Sequence, residues 1–285
     1  MSIWQPRYTG VVPLPRKTKR DSFVQTVLSH YESTGRHDLP WRKTRNPYRI
    51  LVSEIMLQQT QVDRVRGYYD RFLIEFPDIA TLAKASPAHV IRAWQGLGYN
   101  RRALALHRTA QVVQKNHGGK IPRDIDALRA LPGIGPYTAG AVRAFAWNEP
   151  GDFLETNVRT AYIHYFFPKR DAVTDAELLP IVAATTDQKN PRTWYWALMD
   201  YGSFLKATHG NATRRSTTYT KQKKFAGSER QLRGRILRLL TQKSQTLPKL
   251  LEATGEPEKR VTTCLNNLIK EGFLSRKGSS YRLVS

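Results

Sequence analysis

Cysteine is nearly absent: the 285-residue chain has one, Cys264. A single thiol makes no intramolecular disulfide and supplies neither a cysteine-based zinc site nor an iron–sulfur cluster. That excludes a disulfide-stapled secreted scaffold. Long apolar runs are missing too, and no stretch reaches the roughly 18 residues of a membrane-spanning helix. The opening MSIWQPRYTGVVPLPRKTKR has no apolar segment of the secretory kind. Its five basic residues without an acid predict a mobile basic arm over 1–20, and an intracellular protein of the cytoplasm or nucleoid is expected. Acids are scarce: 23 Asp+Glu face 46 Lys+Arg, a formal charge of +23. A surplus of that size on a folded chain calls for an acidic partner, and a phosphate backbone is the first choice. The length suggests about two domains, large enough to bury full hydrophobic cores.

Alternating Val/Ile/Thr runs are also rare, so little of the chain reads as strand. Over 21–205 apolar residues recur at three and four, as in Leu51, Ile55, Val62 and Val65 or Val90, Ile91, Trp94 and Leu97. The pattern predicts an all-α region of about ten helices. Residues 206–235 hold nine Lys/Arg against one acid, Glu229. The spacing and charge predict an open basic linker over 206–228. Residues 229–285 read as a small α+β domain: a helix with Leu232, Ile236 and Leu240, a second over Leu247–Ala253, a third over Glu256–Glu271, then a hairpin turning near Gly278. Three helices and a hairpin make a winged-helix pattern.

One string carries chemistry. Residues 131–135 are Leu-Pro-Gly-Ile-Gly, followed by Pro136, between two helical stretches. Gly133 and Gly135 are expected to bring bare backbone to a ligand. Pro136 suits the first position of the second helix, whose amides form an anion site. The string reads as a helix-hairpin-helix that binds DNA phosphate without reading sequence; the alternative is an ordinary helix–helix turn. Glu54 is the candidate acid, because Ile50, Leu51 and Leu57 place it on an apolar helix face. Burial there favours the protonated carboxyl, which is what a general acid needs; the alternative is a core carboxyl satisfied by structural hydrogen bonds.

With these residues placed, the chain resembles the helix-hairpin-helix DNA glycosylase superfamily, and within it the MutY-type adenine DNA glycosylases. The strings are DLPWR (38–42), NPYRILVSEIMLQQTQV (46–62), WQGLGYNRRA (94–103), HGGKIP (117–122), LPGIGPYTAGAV (131–142), LETNVRT (154–160) and ALMDYG (197–202). The resemblance implies two helical subdomains around a cleft that takes a flipped base, followed here by the winged helix. It implies catalytic roles for Glu54, Glu155 and Tyr137. It implies DNA contacts from Gln58, Gln59, Gln61, Tyr99, Leu131, Gly133, Gly135 and Thr138. His37, Leu39, Trp41, Arg42, Leu57, Trp196 and Met199 fall at positions of its base pocket. The partner is double-stranded DNA with a mispaired or damaged base, bound by a monomer with no membrane association. The reaction the resemblance implies is hydrolysis of the N-glycosidic bond of adenine opposite guanine or 8-oxoguanine.

Several positions depart from the family. Its second carboxylate is usually aspartate; Glu155 is one methylene longer and a poorer helix cap. Either the pocket has shifted to fit or activity is reduced, with Asp152 as a conceivable substitute. Tyr137 stands where bifunctional relatives carry a Schiff-base lysine, which predicts an enzyme that leaves an abasic site uncut. The family's cluster spacing, C-x6-C-x2-C-x5-C, falls on Lys206, Thr213, Ser216 and Gln222, so no iron–sulfur cluster and no other metal is expected; a monovalent cation at the hairpin is compatible. The family's 8-oxoguanine-reading C-terminal domain has no counterpart. His37 and Trp196 replace the usual arginine and Gln/Glu. These changes keep two rivals open: a glycosylase for thymine or uracil opposite guanine, and a DNA-binding protein without catalysis.

Overall fold

A computed structural model describes residues 13–285 except Asp152 and Lys223. Most of the expected basic arm, and the reserve carboxylate Asp152, therefore lie outside the described residues. The helices are α1 (Lys17–Thr34), α2 (Pro47–Leu57), α3 (Val62–Glu75), α4 (Ile79–Lys84), α5 (Pro87–Ala93), α6 (Arg101–Asn116), α7 (Ile125–Arg129), α8 (Pro136–Trp147), α9 (Thr156–Phe166), α10 (Asp175–Thr185), α11 (Pro191–His209), α12 (Glu229–Gln242), α13 (Leu247–Thr254) and α14 (Glu258–Lys270). Three short strands, β1 (Gln245–Thr246), β2 (Leu274–Lys277) and β3 (Ser280–Leu283), pair antiparallel in the order β1-β3-β2. Among the described residues no helix is long and apolar enough to cross a membrane.

The chain forms two compact units. The first takes the residues up to Ile50, Arg123–Arg129 and Ile134–Lys221; the second takes Leu51–Pro122, Ala130–Gly133 and Gln222–Ser285.

In the first unit, Phe23, Val27 and Tyr31 recur every four residues and bury one face of α1. The Phe23 ring meets Tyr162 at 4.9 Å and Trp194 at 6.1 Å. α11 lies against α9 so closely that a Cβ on Gly202 would come 2.1 Å from the Asn157 carbonyl oxygen. Any larger residue in the D-Y-G string would part the two helices. Helix α1 starts at Lys17, so Lys17–Arg20 are not part of a mobile arm; Lys17 pairs with Asp21 at 2.7 Å.

The expectation of an open linker from 206 is also corrected. Helix α11 runs through Lys206 to His209, and Thr213 and Ser216 are buried. Thr213 Oγ1 donates to the Thr156 carbonyl at 2.7 Å, and Val173 N–H donates to the Arg215 carbonyl at 2.8 Å. The Arg215 side chain donates to the carbonyls of Phe167 and Arg170, at 2.6 and 2.9 Å. Carbonyls at a helix C-terminus are a ready partner for a cation, so charge here folds the segment down instead of holding it open.

In the second unit, the winged-helix elements do not close on themselves. Leu232, Ile236, Leu240, Leu265, Leu268 and Phe273 share one core with Ala88, Ile91 and Leu104 of α5 and α6. Each buried aliphatic chain contributes about 1.5–3 kcal/mol, so this seam is a substantial part of the unit. Past β3, the Val284 carbonyl accepts the Ala88 amide at 3.0 Å.

Candidate active site and nucleic-acid interface

The turn between α7 and α8 holds the Leu-Pro-Gly-Ile-Gly string. Asp124 caps α7 by accepting the Asp126 and Ala127 amides at 3.1 and 2.9 Å. Gly133 has φ +76°, and an added Cβ would sit 2.7 Å from that of Ala105. Both conformation and space therefore demand glycine. Thr109 Oγ1 fixes the turn by donating to the Pro132 carbonyl at 2.7 Å. Gly135 differs from expectation: its φ is −87°, extended and not left-handed. It serves as the N-cap of α8 and, being glycine, brings no side chain of its own to the first-turn amides. Those amides and the helix dipole favour an anion. The side chains of Leu131 and Thr138 are buried at 3% and 2% exposure, so only their main chain can meet a phosphate.

Glu54 lies on α2 at 4% exposure, with Ile50 and Leu51 buried one turn before it and Leu57 half-buried one turn after. The sequence-derived surroundings are thus present. Glu155 is the N-cap of α9. Its Oε1 accepts the amides of Asn157 and Val158 at 2.6 and 2.9 Å, and its Oε2 accepts the Thr156 hydroxyl at 3.0 Å. The extra methylene therefore does not spoil the cap; the longer carboxylate folds back over its own helix. Asn157 extends the arrangement, taking Lys206 Nζ on its Oδ1 at 2.7 Å. Burial pushes the Lys206 ammonium below its ordinary pKa, and the Glu155 charge opposes that. Lys206 was not foreseen as part of this site, although the first position of the missing cluster motif marked it. Tyr137 occupies the second position of α8, half-buried, with its ring edge-on to Phe153 at 5.6 Å.

Arg42, one of the positions assigned to the base pocket, is held by a residue that the sequence did not single out, Asp200. This carboxylate is 4% exposed and accepts Arg42 Nη1 and Nη2 at 2.7 and 2.9 Å and Arg36 Nε at 2.7 Å. Burial pushes its pKa up, but the hydrogen bonds and charge of Arg42, with those of Arg36, outweigh that and hold it below the usual range. The Arg42 guanidinium lies 5.5 Å from the Trp196 ring, which stacks on Phe145 at 5.8 Å. His37 packs on Tyr31 at 4.4 Å. Leu39 and Trp41 are buried and Met199 is half-buried. Arg42 has its fork engaged by Asp200, which makes it a positioning residue for Trp196. Leu57 belongs to the second unit and is half-buried on α2.

In the second unit Arg102 organises the DNA-contact candidates. It is 8% exposed and donates to the carbonyls of Ile55, Met56, Gln58 and Gly98 and to the Thr60 hydroxyl. One side chain thus closes the C-terminus of α2 and ties the 58–60 turn to the 97–98 turn. Gln59 and Tyr99 have φ +58° and +47°. Left-handed backbone is uncommon for residues with a Cβ, and such strain concentrates at functional sites. Tyr99 is 37% exposed, and Gln59 and Gln61 are exposed beside a half-buried Gln58.

Lys206, Thr213, Ser216 and Gln222 do not fit an iron–sulfur cluster. None offers a thiolate, and Lys206, Thr213 and Gln222 donate to Asn157, Thr156 and Gln59 instead.

A mostly helical fold, a hairpin turning at Gly133 before α8 and a buried helix carboxyl define the class: a helix-hairpin-helix DNA repair glycosylase. Residues 52–182 match the family described as HhH-GPD superfamily base excision DNA repair protein. An adenine DNA glycosylase of Mycolicibacterium smegmatis is 37% identical over 232 residues, 75% of this chain and 78% of that protein. A thymine/uracil-DNA glycosylase of Methanothermobacter thermautotrophicus is 35% identical over 149 residues, 52% of this chain and 67% of that protein. Among solved structures, a thermostable thymine-DNA glycosylase superposes with a TM-score of 0.61 at 28% identity, covering 70% of this chain and 92% of the other. A trapped endonuclease III–DNA covalent intermediate shares the fold, with a TM-score of 0.57 at 16% identity over 67% of this chain and 88% of the other. The chain belongs to the HhH-GPD superfamily of base excision DNA repair proteins.

Proposed function

We propose that the chain is a monofunctional DNA glycosylase that removes adenine mispaired with guanine or 8-oxoguanine and leaves an abasic site. The observation that carries the reading is Glu54, a carboxyl 4% exposed on an apolar helix face. Adenine is a poor anionic leaving group, so its ring must take a proton as the bond to the sugar breaks. Glu54 supplies that proton as the general acid. The bond's electrons leave with the protonated base, positive charge grows at the sugar C1′, and the Glu155 carboxylate stabilises it. Water then adds to C1′ and loses its proton. Tyr137 has no amine with which to form an imine, so the strand stays intact. The adenine DNA glycosylase of Mycolicibacterium smegmatis, aligned over three-quarters of the chain, supports the adenine substrate.

The protein acts as a monomer, without an iron–sulfur cluster, and the hairpin carbonyls are the place for a monovalent cation. DNA is held by the α8 amides and by a charge of +23. A second reading, thymine or uracil opposite guanine, is favoured by Trp196 in the pocket and by the thymine/uracil-DNA glycosylase relative.

Base release from labelled duplexes carrying A, T or U opposite G or 8-oxoguanine, developed with alkali, decides between them. Alkali-dependent cleavage at adenine is expected. Glu54→Gln should lower release by roughly 10²–10⁴-fold while duplex binding persists. Cleavage at thymine or uracil instead overturns the adenine reading, and loss of binding in Glu54→Gln overturns the acid role.

A further inference from the structure

The second unit holds a half-open cavity of about 930 Å³ whose lining includes neither the hairpin nor Glu54. One wall is the 58–61 turn and the 95–102 segment; the other is α12 of the winged helix. Seven arginines and two glutamates line it. One of the two, Glu271, is spent on Arg101 and Arg233, each at 2.5 Å. The lining also carries seven Gln/Asn side chains and the rings of Tyr99 and Phe225. This is the donor set for base edges and phosphates, with rings on which a base stacks.

The wall built by α12 is shaped for an occupant. Leu232, Ile236 and Leu240 of that helix face the core. Arg230, Gly234 and Arg238, spaced one turn apart, line the cavity. A glycine in mid-helix costs about 0.5–1 kcal/mol against alanine, yet a Cβ at Gly234 would meet nothing within 4 Å. Packing does not require it, and its effect is a gap between two arginines. The Arg230 guanidinium lies 5.5 Å from the Tyr99 ring and 5.8 Å from the Phe225 ring, and Nη1 donates to the Tyr99 hydroxyl. Tyr99 is held on another side by Arg102 at 5.4 Å.

We propose that this cavity is a guanine-nucleotide site for the strand opposite the excised base, and that α12 of the winged helix is its reader. The inference rests on the glycosylase reading above, which brings damaged duplex DNA to the 58–61 turn. Guanine presents O6 and N7 as a paired acceptor that an arginine fork matches, and Arg230 and Arg238 are the forks. The C-terminal domain is then a specificity element and not a detached DNA anchor.

The test uses the full-length protein and labelled duplexes carrying a tetrahydrofuran abasic analogue opposite G, A, C or T, at fixed salt. The probe has no base to excise, so the result does not depend on which base the enzyme removes. Wild type should bind the G duplex more tightly than the others by roughly tenfold, within the range of one good arginine–guanine pair. Arg230→Ala and Arg238→Ala should bring the four duplexes to near parity at an unchanged thermal midpoint. Arg230→Lys should restore affinity for all four without the preference, because an ammonium lacks the fork. Lys277→Ala, on the exposed wing, should keep the preference. A wild type blind to the opposite base, or arginine variants that weaken all four duplexes equally, would overturn the proposal. A G preference together with release of thymine from the panel would retire the adenine reading and leave the cavity assignment standing.

Discussion

Asp200 and Arg102 are both buried charges near candidate site residues, and the two units satisfy them by opposite means. Asp200 is met by charge: two guanidiniums close on it, Arg42 buried and Arg36 at 32% exposure still open to water. Arg102 is met by dipoles: carbonyls and one hydroxyl surround it, and burial pushes its pKa down to about 10, which still leaves it protonated at neutral pH. The first solution makes a rigid wall for Trp196 and His37. The second leaves a full positive charge beneath Gln58, Gln59 and Tyr99, where a phosphate-bearing strand is proposed to pass. A buried ion pair fixes a shape, whereas a carbonyl-caged cation fixes a shape and keeps its field.

That contrast can be broken by substitution, beginning with the largest effect. Asp200→Asn keeps the outline but leaves Arg36 and Arg42 without a counter-charge, and should cost about 3–5 kcal/mol in urea unfolding. A loss under about 1 kcal/mol would show that the pair is not needed to hold the wall. Arg102→Met keeps most of the stem and orphans its carbonyls, at about 2–3 kcal/mol. Its clearer signature should be faster hydrogen exchange over 97–100, with weaker binding to abasic duplex. Unaltered exchange there would detach the cage from the Tyr99 turn. The smallest effect belongs to Glu271, which is partly exposed and whose pKa is drawn down to about 2 by hydrogen bonds from Arg101, against burial, with help from Arg233. A lowered pKa adds stability above the ordinary value near 4.5 that is lost as pH falls toward 2. Glu271→Gln should cost about 1 kcal/mol or less at pH 7, given its exposure. It should also flatten the unfolding midpoint between those two pH values, and a midpoint that still falls there would assign the acid sensitivity elsewhere.

Local rules made much of this legible. The helix periodicity, the Gly133 turn, the apolar surroundings of Glu54 and the hairpin at Gly278 are each set by residues within a few positions of one another. What escaped was pairing across long separations. Asp200 lies 158 residues beyond Arg42, and nothing in either neighbourhood announces the match. Charge counting misread 206–216, because an arginine run can bind carbonyls as readily as it can repel itself. The winged helix was recognised as a pattern but not as half of a core, since Leu232 and Ile236 show their apolar face without naming Ile91 and Leu104 as partners. Glu155 shows that a residue disfavoured as a cap in general still caps well when its longer carboxylate can fold back.

The seam between α5, α6 and the winged helix also sets a timetable. During synthesis, Ile91 and Leu104 leave the ribosome well before Leu232, and before the Val284 carbonyl that receives the Ala88 amide. At about 5–20 residues per second the wait from Leu104 to Leu232 is roughly 6–26 seconds. Through that interval the apolar face of α5 and α6 has no lasting cover, and the Tyr99 turn has no Arg230 to lean on. The half of the enzyme proposed to read DNA is therefore completed only once α12 and Val284 have been made, and a nascent chain halted before α12 leaves Ile91 and Leu104 without these partners.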